Sequence, residues 1–188
     1  MSKGLKILGL SILSAASFAV CSNVLADTAS GTFTTTASII SLATLTNTQT
    51  LNFGEVQADA DSSGYAEISA ITGNRTLTTV GDGGNDGTNG IFTLTNAGAG
   101  VAATVTLPVY INLSGPGSDM TLDSFRIAKE TTVGDATCGS YASADNVGTI
   151  SATTTAGTAY FCTGAKLHVG RNQTPGQYSG SYAVSVAY

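Results

Sequence analysis

The sequence has no tryptophan and a single histidine among its 188 residues, and only 10% of its residues are charged. An average soluble domain has about 25% charged residues. Because sugar-binding clefts most often stack their ligand on tryptophan, we expect no glycosidase. The histidine, His168, lies in an alternating run, and no serine stands in a G-x-S-x-G motif, so a Ser-His-Asp hydrolase is not expected either. The sequence therefore predicts a protein that is not an enzyme.

The residues that are abundant favour strands over helices. The chain has 23 glycines and many threonines, serines and alanines. Glycine weakens helices, and β-branched side chains fit pleated surfaces. Short runs of period two recur, separated by Gly, Asn, Asp and Ser clusters. Strands are predicted near residues 50–57, 64–71, 75–80, 90–95, 102–113, 120–128, 158–170 and 177–188. Their number and spacing predict one all-β domain, a β-sandwich, in which Pro108 bulges its strand or lies at an edge.

The first 26 residues have the layout of a secretory signal peptide. Lys3 and Lys6 precede an apolar run, and small residues follow it up to Ala26. The run is too short to cross a bilayer of about 30 Å, so we expect no membrane anchor. Removing residues 1–26 takes away two of the seven basic residues and none of the twelve acidic ones, which changes the net charge from −5 to −7. An acidic chain is a poor partner for nucleic acid.

Two cysteines remain after this segment, Cys138 and Cys162. In an exported chain, an isolated pair most simply forms one disulfide bond. Free thiols and a metal site are the poorer alternatives, because a metal needs more ligands than two thiols and one distant histidine supply. We expect no metal and no cofactor.

The loop "GDGGNDGTNG" (residues 81–90) offers oxygen ligands from Asp82, Asn85, Asp86 and Asn89. Calcium takes six to eight oxygens, and the bidentate glutamate of an EF-hand is missing here. The same residue types are those that a long exposed hairpin needs for positive φ angles. A plain loop is the prediction, and a calcium site is the alternative.

The two ends of the exported chain each contain an alternating segment. The last residues, "PGQYSGSYAVSVAY", predict a strand in which large side chains alternate with small ones; the large ones are Tyr182, Val184, Val186 and Tyr188. Residues 27–47 are nearly uncharged and have one moderately apolar face, formed by Ala29, Gly31, Phe33, Thr35, Ala37 and Ile39. This segment suits a flexible tail, an ordinary first strand, or a strand that pairs elsewhere.

Three stretches of the chain carry a resemblance to a known family. They are "LNFGEV" (51–56), "LPVYINLSGPGSDMTLDSF" (107–125) and "LHVGRNQTPGQYSGSYAVSVAY" (167–188). The early F-G and the late G-x-Y-x-G-x-Y-x-V-x-V-x-Y resemble a bacterial fimbrillin-like domain family of unknown function. They are also similar to archaic chaperone–usher pilins and spore-coat-U-like proteins.

The resemblance implies an immunoglobulin-like β-sandwich that lacks its last strand. A periplasmic chaperone, and then the N-terminal extension of the next subunit, would supply that strand. The acceptor groove would have the strand of Tyr182, Val184, Val186 and Tyr188 as one wall. The donor would be Ala29 to Ile39, with Phe33 and Ile39 as anchors and Gly31 where the groove narrows.

These expectations together predict a function. The chain is divided into a signal peptide (1–26), an N-terminal extension (27–47) and a pilin-like domain (48–188). The predicted protein is exported to the periplasm and then forms a fimbria or pilus-like filament at the cell surface or outside the cell. Its partners would be copies of itself, a periplasmic chaperone and an outer-membrane usher. The alternative is a secreted monomeric or tip adhesin that binds a surface ligand through loops 81–90 and 129–158.

Overall fold

The computed structural model describes residues 43–98, 100–130, 138–143, 147–152 and 157–187. The predicted signal peptide (1–26), the predicted donor strand (29–39) and Tyr188 lie outside the described residues. Every regular element within the described ranges is a β-strand. In chain order the strands are β1 Thr44–Gln49, β2 Val56–Gln57, β3 Gly64–Ile68, β4 Arg75–Thr78, β5 Gly81–Asp82, β6 Gly90–Thr95, β7 Val101–Thr106, β8 Tyr110–Leu113, β9 Met120–Glu130, β10 Cys138–Ser143, β11 Val147–Ala152, β12 Ala159–Val169 and β13 Ser185–Ala187.

The larger of the two main sheets is built around β12. One edge of β12 pairs with β6 along residues 159–163 and with β3 along residues 165–169, while the other edge pairs with β9. Gly164 lies at the junction between the two partners. A Cβ atom on Gly164 would lie 2.2 Å from the Ile68 carbonyl oxygen, so only glycine fits there. β1 extends the sheet beyond β6, β4 extends it beyond β3, and β8 and β10 both pair with β9.

The alternation of β12 explains why it lies at the centre of this sheet. Phe161, Thr163 and Leu167 point into the core and are buried, whereas Lys166 and His168 lie on the outer face. Fully burying an aromatic side chain such as Phe161 contributes about 1.5–3 kcal/mol. Cys162 on the other face is buried as well, in the cluster around the disulfide bond. A strand that pairs on both edges and buries one whole face is strongly held in register.

The smaller sheet has the antiparallel order β11–β7–β13. Its central strand, β7, buries Ala103 and Val105, and Leu107 beyond its end is buried as well. These residues belong to one hydrophobic core together with residues of the larger sheet, including Phe92 and Phe161, whose rings stack with centroids 5.3 Å apart. The all-β sandwich predicted from the sequence is confirmed.

Most of the long predicted strands are present. Those near 64–71, 75–80, 90–95, 120–128 and 158–170 correspond to β3, β4, β6, β9 and β12. The strand predicted over 102–113, with Pro108 at a bulge or at an edge, is instead broken around Pro108. β7 ends at Thr106 in the smaller sheet, and β8 begins at Tyr110 in the larger one. Proline has no backbone N–H to donate, and Pro108 thus lies where the chain passes from one sheet to the other.

Two predicted strands are mostly irregular. Within 50–57 only Val56–Gln57 forms a strand, because Gly54 has φ +67° and interrupts the extended backbone. Of the described residues 177–187, only Ser185–Ala187 form a strand, and Ser179 forms an isolated bridge with Ser114.

The domain also begins earlier than predicted. β1 pairs with β6 from Thr44 onward, so the predicted boundary between residues 47 and 48 falls inside a strand. The sequence of β1 has no alternating apolar pattern, because most of its side chains are exposed Thr and Asn and only Leu45 and Gln49 are partly buried.

The predicted disulfide bond between Cys138 and Cys162 is confirmed. It joins β10 to β12, which flank β9 on opposite edges. Both cysteines are buried with Ala70 and Ala128 in a small cluster separate from the main core. The bond closes a loop with a sequence separation of 24 residues.

Replacing both cysteines, Cys138→Ala and Cys162→Ala, is expected to lower the free energy of unfolding by about 3 kcal/mol, because the open chain gains entropy when unfolded. Urea denaturation measures this loss. Reduction of the unaltered protein should lower its stability similarly and leave the double variant unchanged. Equal stability of the oxidised protein and the double variant would contradict the prediction.

Candidate functional site

The terminal segment from Ser179 to Ala187 runs antiparallel to residues 104–114, the stretch in which the chain passes from the smaller sheet to the larger one. β13 pairs with Thr104 to Thr106 of β7. At its other end, Ser179 exchanges two backbone hydrogen bonds with Ser114, of 2.9 and 3.0 Å. Among the residues that the structure describes, no strand pairs with the opposite edge of β13, which is an end strand of its sheet. That edge offers main-chain donors and acceptors to an added strand.

The side chains of this segment alternate as the sequence predicts. Tyr182, Val184 and Val186 are half-buried and pack against the core, whereas the residues between them are exposed. The structure therefore brings these three predicted groove residues onto one inward face. Their role in accepting a strand stays a prediction.

Tyr182 connects the terminal segment to the larger sheet. Its ring centroid lies 5.2 Å from that of Phe125 and 6.3 Å from that of Phe92. Its hydroxyl lies 3.2 Å from Thr163 Oγ1. Burial raises the pKa of Tyr182, and the hydrogen bond with Thr163 opposes this in part. The sequence pattern predicted Tyr182 but missed Thr163, whose only signal is its inward place in the alternation of β12.

The first part of the terminal motif also has a structural explanation. The Tyr178 hydroxyl accepts hydrogen bonds from Gly117 N at 3.1 Å and Gln173 Nε2 at 2.8 Å, and it donates to the Thr174 carbonyl at 2.9 Å. A Cβ atom on Gly180 would lie 2.8 Å from the Asn112 carbonyl oxygen. The Tyr and Gly of this motif therefore fix where the chain enters the terminal segment.

The early F-G dipeptide is held by a buried arginine. Phe53 lies in the core, and a Cβ atom on Gly54 would lie 2.0 Å from the Asn85 carbonyl oxygen. The Arg75 side chain is only 2% exposed. Its Nη1 donates to the carbonyls of Phe53 at 2.8 Å and Glu55 at 2.7 Å. No sequence pattern indicates the role of Arg75, because its partners are main-chain atoms of a distant segment.

Two polar side chains of the loop at 81–90, Asp82 and Asn89, bind other groups of the domain. Arg75 forms a 2.5 Å salt bridge with Asp82 and lies 3.8 Å from Asp86. The buried Asn89 donates to the Ala70 carbonyl and accepts from Gln49. A guanidinium thus faces the carboxylates proposed as calcium ligands. Among the described residues, no group of three or more His, Cys, Asp or Glu side chains is placed to hold a metal.

His168 lies on the outer face of β12, where its Nε2 is 3.0 Å from Asp123 Oδ1. Its side chain is 47% exposed. The histidine thus lies in a strand, within the alternating run noted in the sequence, and its side chain faces solvent. Within the described ranges, no helix has the length and hydropathy needed to cross a membrane.

Fold and site together define a disulfide-linked β-sandwich with an unpaired edge at its last described strand. Residues 43–188 match the family described as a domain of unknown function, DUF4402, and the chain belongs to that family. The match begins one residue before β1 and covers both sheets. No curated protein and no solved structure matches the chain.

The Arg75–Asp82 pair predicts a pH dependence of stability. The backbone hydrogen bond from Gly84 is the main cause that lowers the pKa of Asp82 below 3.8; desolvation opposes it, and the charge of Arg75 lowers the pKa further. A lowered pKa in the folded state stabilises the fold above the unfolded pKa, and this contribution is lost as the pH falls through the folded value. Asp82→Asn should therefore lower the urea midpoint at pH 7 and flatten its decline in acid. Asp61→Asn is the matched control at an exposed carboxylate, and an identical acid profile for both variants would rule the pair out as the cause.

Variants of Tyr182 test how the terminal segment is held. Tyr182→Phe should cost about 1 kcal/mol, the value of one hydrogen bond. Tyr182→Ala should cost about 2 kcal/mol or more, because it also removes the ring from its place beside Phe92 and Phe125. Urea denaturation gives both values, and amide hydrogen exchange should rise at Ser185 to Ala187 in the alanine variant alone. If both variants are as stable as the unaltered protein, Tyr182 is not the anchor.

Proposed function

We propose that the protein is a structural subunit of a fimbria or pilus-like surface filament that assembles by donor-strand exchange. The observation that carries the proposal is the unpaired edge of β13 together with the inward face of Tyr182, Val184 and Val186 beside it. A strand added there would continue the ladder of the smaller sheet and cover the apolar side chains. Main-chain hydrogen bonds would give affinity, and alternate pockets would give specificity.

The position of the proposed donor supports assembly between copies. Ile39 lies five residues before Thr44, the first residue of β1. The connection between donor and domain is therefore short, with a reach of about 15 Å when extended. Each subunit would give residues 29–39 and accept the same segment from a neighbour. Such a contact is heterologous and open-ended, so it builds a filament and not a closed ring.

The remaining features fit an exported structural protein. The buried disulfide joins two strands of the larger sheet, as is common in proteins of oxidising compartments. An unpaired edge with apolar side chains is an aggregation hazard until it is covered. The proposed partners are a periplasmic chaperone, which would cover this edge with one of its own strands, and an outer-membrane usher, which would receive the subunit from it. The proposed destination is the cell surface.

Removing the proposed donor is expected to abolish assembly. The mature protein (27–188) should form filaments in negative-stain microscopy, whereas a protein lacking residues 27–42 should not, because β1 and the rest of the sandwich remain but the donor is gone. Gly31→Leu in the full mature chain should also reduce assembly, since the donor residue at the narrow part of the groove must be small. Thr32→Leu is the control on the opposite face of the same segment.

A peptide of residues 27–42 distinguishes strand exchange between subunits from a domain that fills its own groove. Added to the truncated protein, it should bind and raise the thermal unfolding midpoint. Normal filaments from the truncated protein would contradict the proposal. So would a mature protein that stays monomeric and binds no added peptide, because the domain would then fill its own groove; that result would favour the secreted or tip adhesin.

A further inference from the structure

A shallow depression lies on the larger sheet, away from the edge of β13. It is found where β3 begins, where β12 ends and just before β9. Most of the residues that line it have polar side chains, and the side chains that matter here are Ser63, Tyr65, Asp119, Thr121, His168 and Gln173. The proposed assembly does not use any of them. We propose that this depression binds a neutral, hydroxyl-rich ligand, and that the ligand class is a saccharide.

The rim of the depression is built before any ligand arrives. Arg171 N donates to Ser63 Oγ at 3.2 Å, and Asn172 N donates to the Asp59 carbonyl at 2.9 Å, which ties the loop after β12 to the loop before β3. Gln173 Nε2 donates to the Ser118 carbonyl and thereby ties the same loop to the residues before β9. Three loops are thus cross-linked around one site. Such preorganisation reduces the entropy cost of binding.

The floor of the depression is also held in place. His168 Nε2 lies 3.0 Å from Asp123 Oδ1, and the His168 and Tyr65 rings lie 6.4 Å apart. The Lys166 ammonium is 4.3 Å from the centroid of the Tyr65 ring, which orients that ring from one side. A positioned aromatic ring beside an imidazole offers an apolar surface and a polar group to the same ligand.

The charges and groups present select the ligand class. The exposed Asp119 carboxylate forms no salt bridge with any described residue, and a carboxylate accepts hydrogen bonds without donating. The Asp119 carboxylate would repel an anionic ligand, and it would accept hydrogen bonds from the hydroxyl groups of a neutral one. A metal ion lacks a ligand set among the described side chains. An apolar ligand would find only Tyr65 and the mostly buried Val169.

A saccharide meets these conditions because it is uncharged, donates through many hydroxyls and presents apolar ring faces. Tryptophan is absent from the chain, so the aromatic contact would come from Tyr65. The sequence did not indicate this site, because its lining comes from three loops far apart in the chain. The site belongs to a single subunit, so it does not depend on filament assembly.

The test is an NMR titration of the mature protein with four probes, the methyl glycosides of glucose, galactose, mannose and N-acetylglucosamine, at millimolar concentrations. At least one glycoside should shift the amide resonances of residues 63–65, 118–121 and 168–173. Asp119→Ala should weaken that binding about tenfold, as expected for losing a hydrogen bond to a charged group. Asp86→Ala removes the same charge from the exposed loop 81–90, away from the depression, and should leave the affinity unchanged.

Other results would overturn the proposal. If none of the four glycosides shifts these resonances, or if the shifts map elsewhere, the depression is not a saccharide site. Equal affinities of the Asp119→Ala variant and the unaltered protein would do the same. The amide spectrum of each variant without ligand shows whether it is folded, so a loss of binding cannot be mistaken for a loss of structure.

Discussion

The pairing of β12 with three other strands is the constraint on which the rest of the structure depends. β6 and β3 share one edge of β12, and β9 pairs with the other. The core aromatic Phe161, the disulfide cysteine Cys162 and the Tyr182 partner Thr163 are consecutive in this strand. Successive side chains of a strand point to opposite faces. Phe161 and Thr163 therefore face the main core and Tyr182, whereas Cys162 faces the small cluster around the disulfide bond. A register slip in β12 would misplace all three together.

Glycines and main-chain contacts explain why the characteristic motifs of this chain look as they do. Gly54 and Gly180 approach carbonyl oxygens too closely for any side chain, and Arg75 donates to carbonyls at and beside the F-G dipeptide. These motifs therefore specify backbone geometry. A resemblance that rests on them is therefore a resemblance of backbone geometry, whereas the feature that supports strand exchange is the unpaired edge of β13.

The sequence was a good guide where one strand buries one face. β6, β9 and β12 each carry several large apolar residues that the fold buries, and each is found within two residues of its predicted bounds. β1, β10 and β11 were missed because Thr, Ser, Gly and Asn dominate them, so their pairing with distant strands decides their structure. Of the candidate site, the alternation of Tyr182, Val184 and Val186 was predictable, as was the disulfide bond. The partners Thr163 and Arg75 were not, because only the folded chain brings them to their contacts.

The terminal segment shows how a folded domain can hold an edge ready for pairing. Three ladder residues in β13 and one bridge at Ser179 are weak support for a nine-residue stretch, since ladder hydrogen bonds contribute only about 1 kcal/mol each. Tyr182 supplies the missing support from the side-chain face, so the main-chain groups of the outer edge need not be used to hold the segment. Half-buried Val184 and Val186 keep apolar surface that a further strand would remove from water, at about 25 cal/mol per Å². The edge of β13 is thus positioned by side chains, and the N–H and C=O groups of its outer side remain available for hydrogen bonds. These are the physical properties that a strand-accepting site requires.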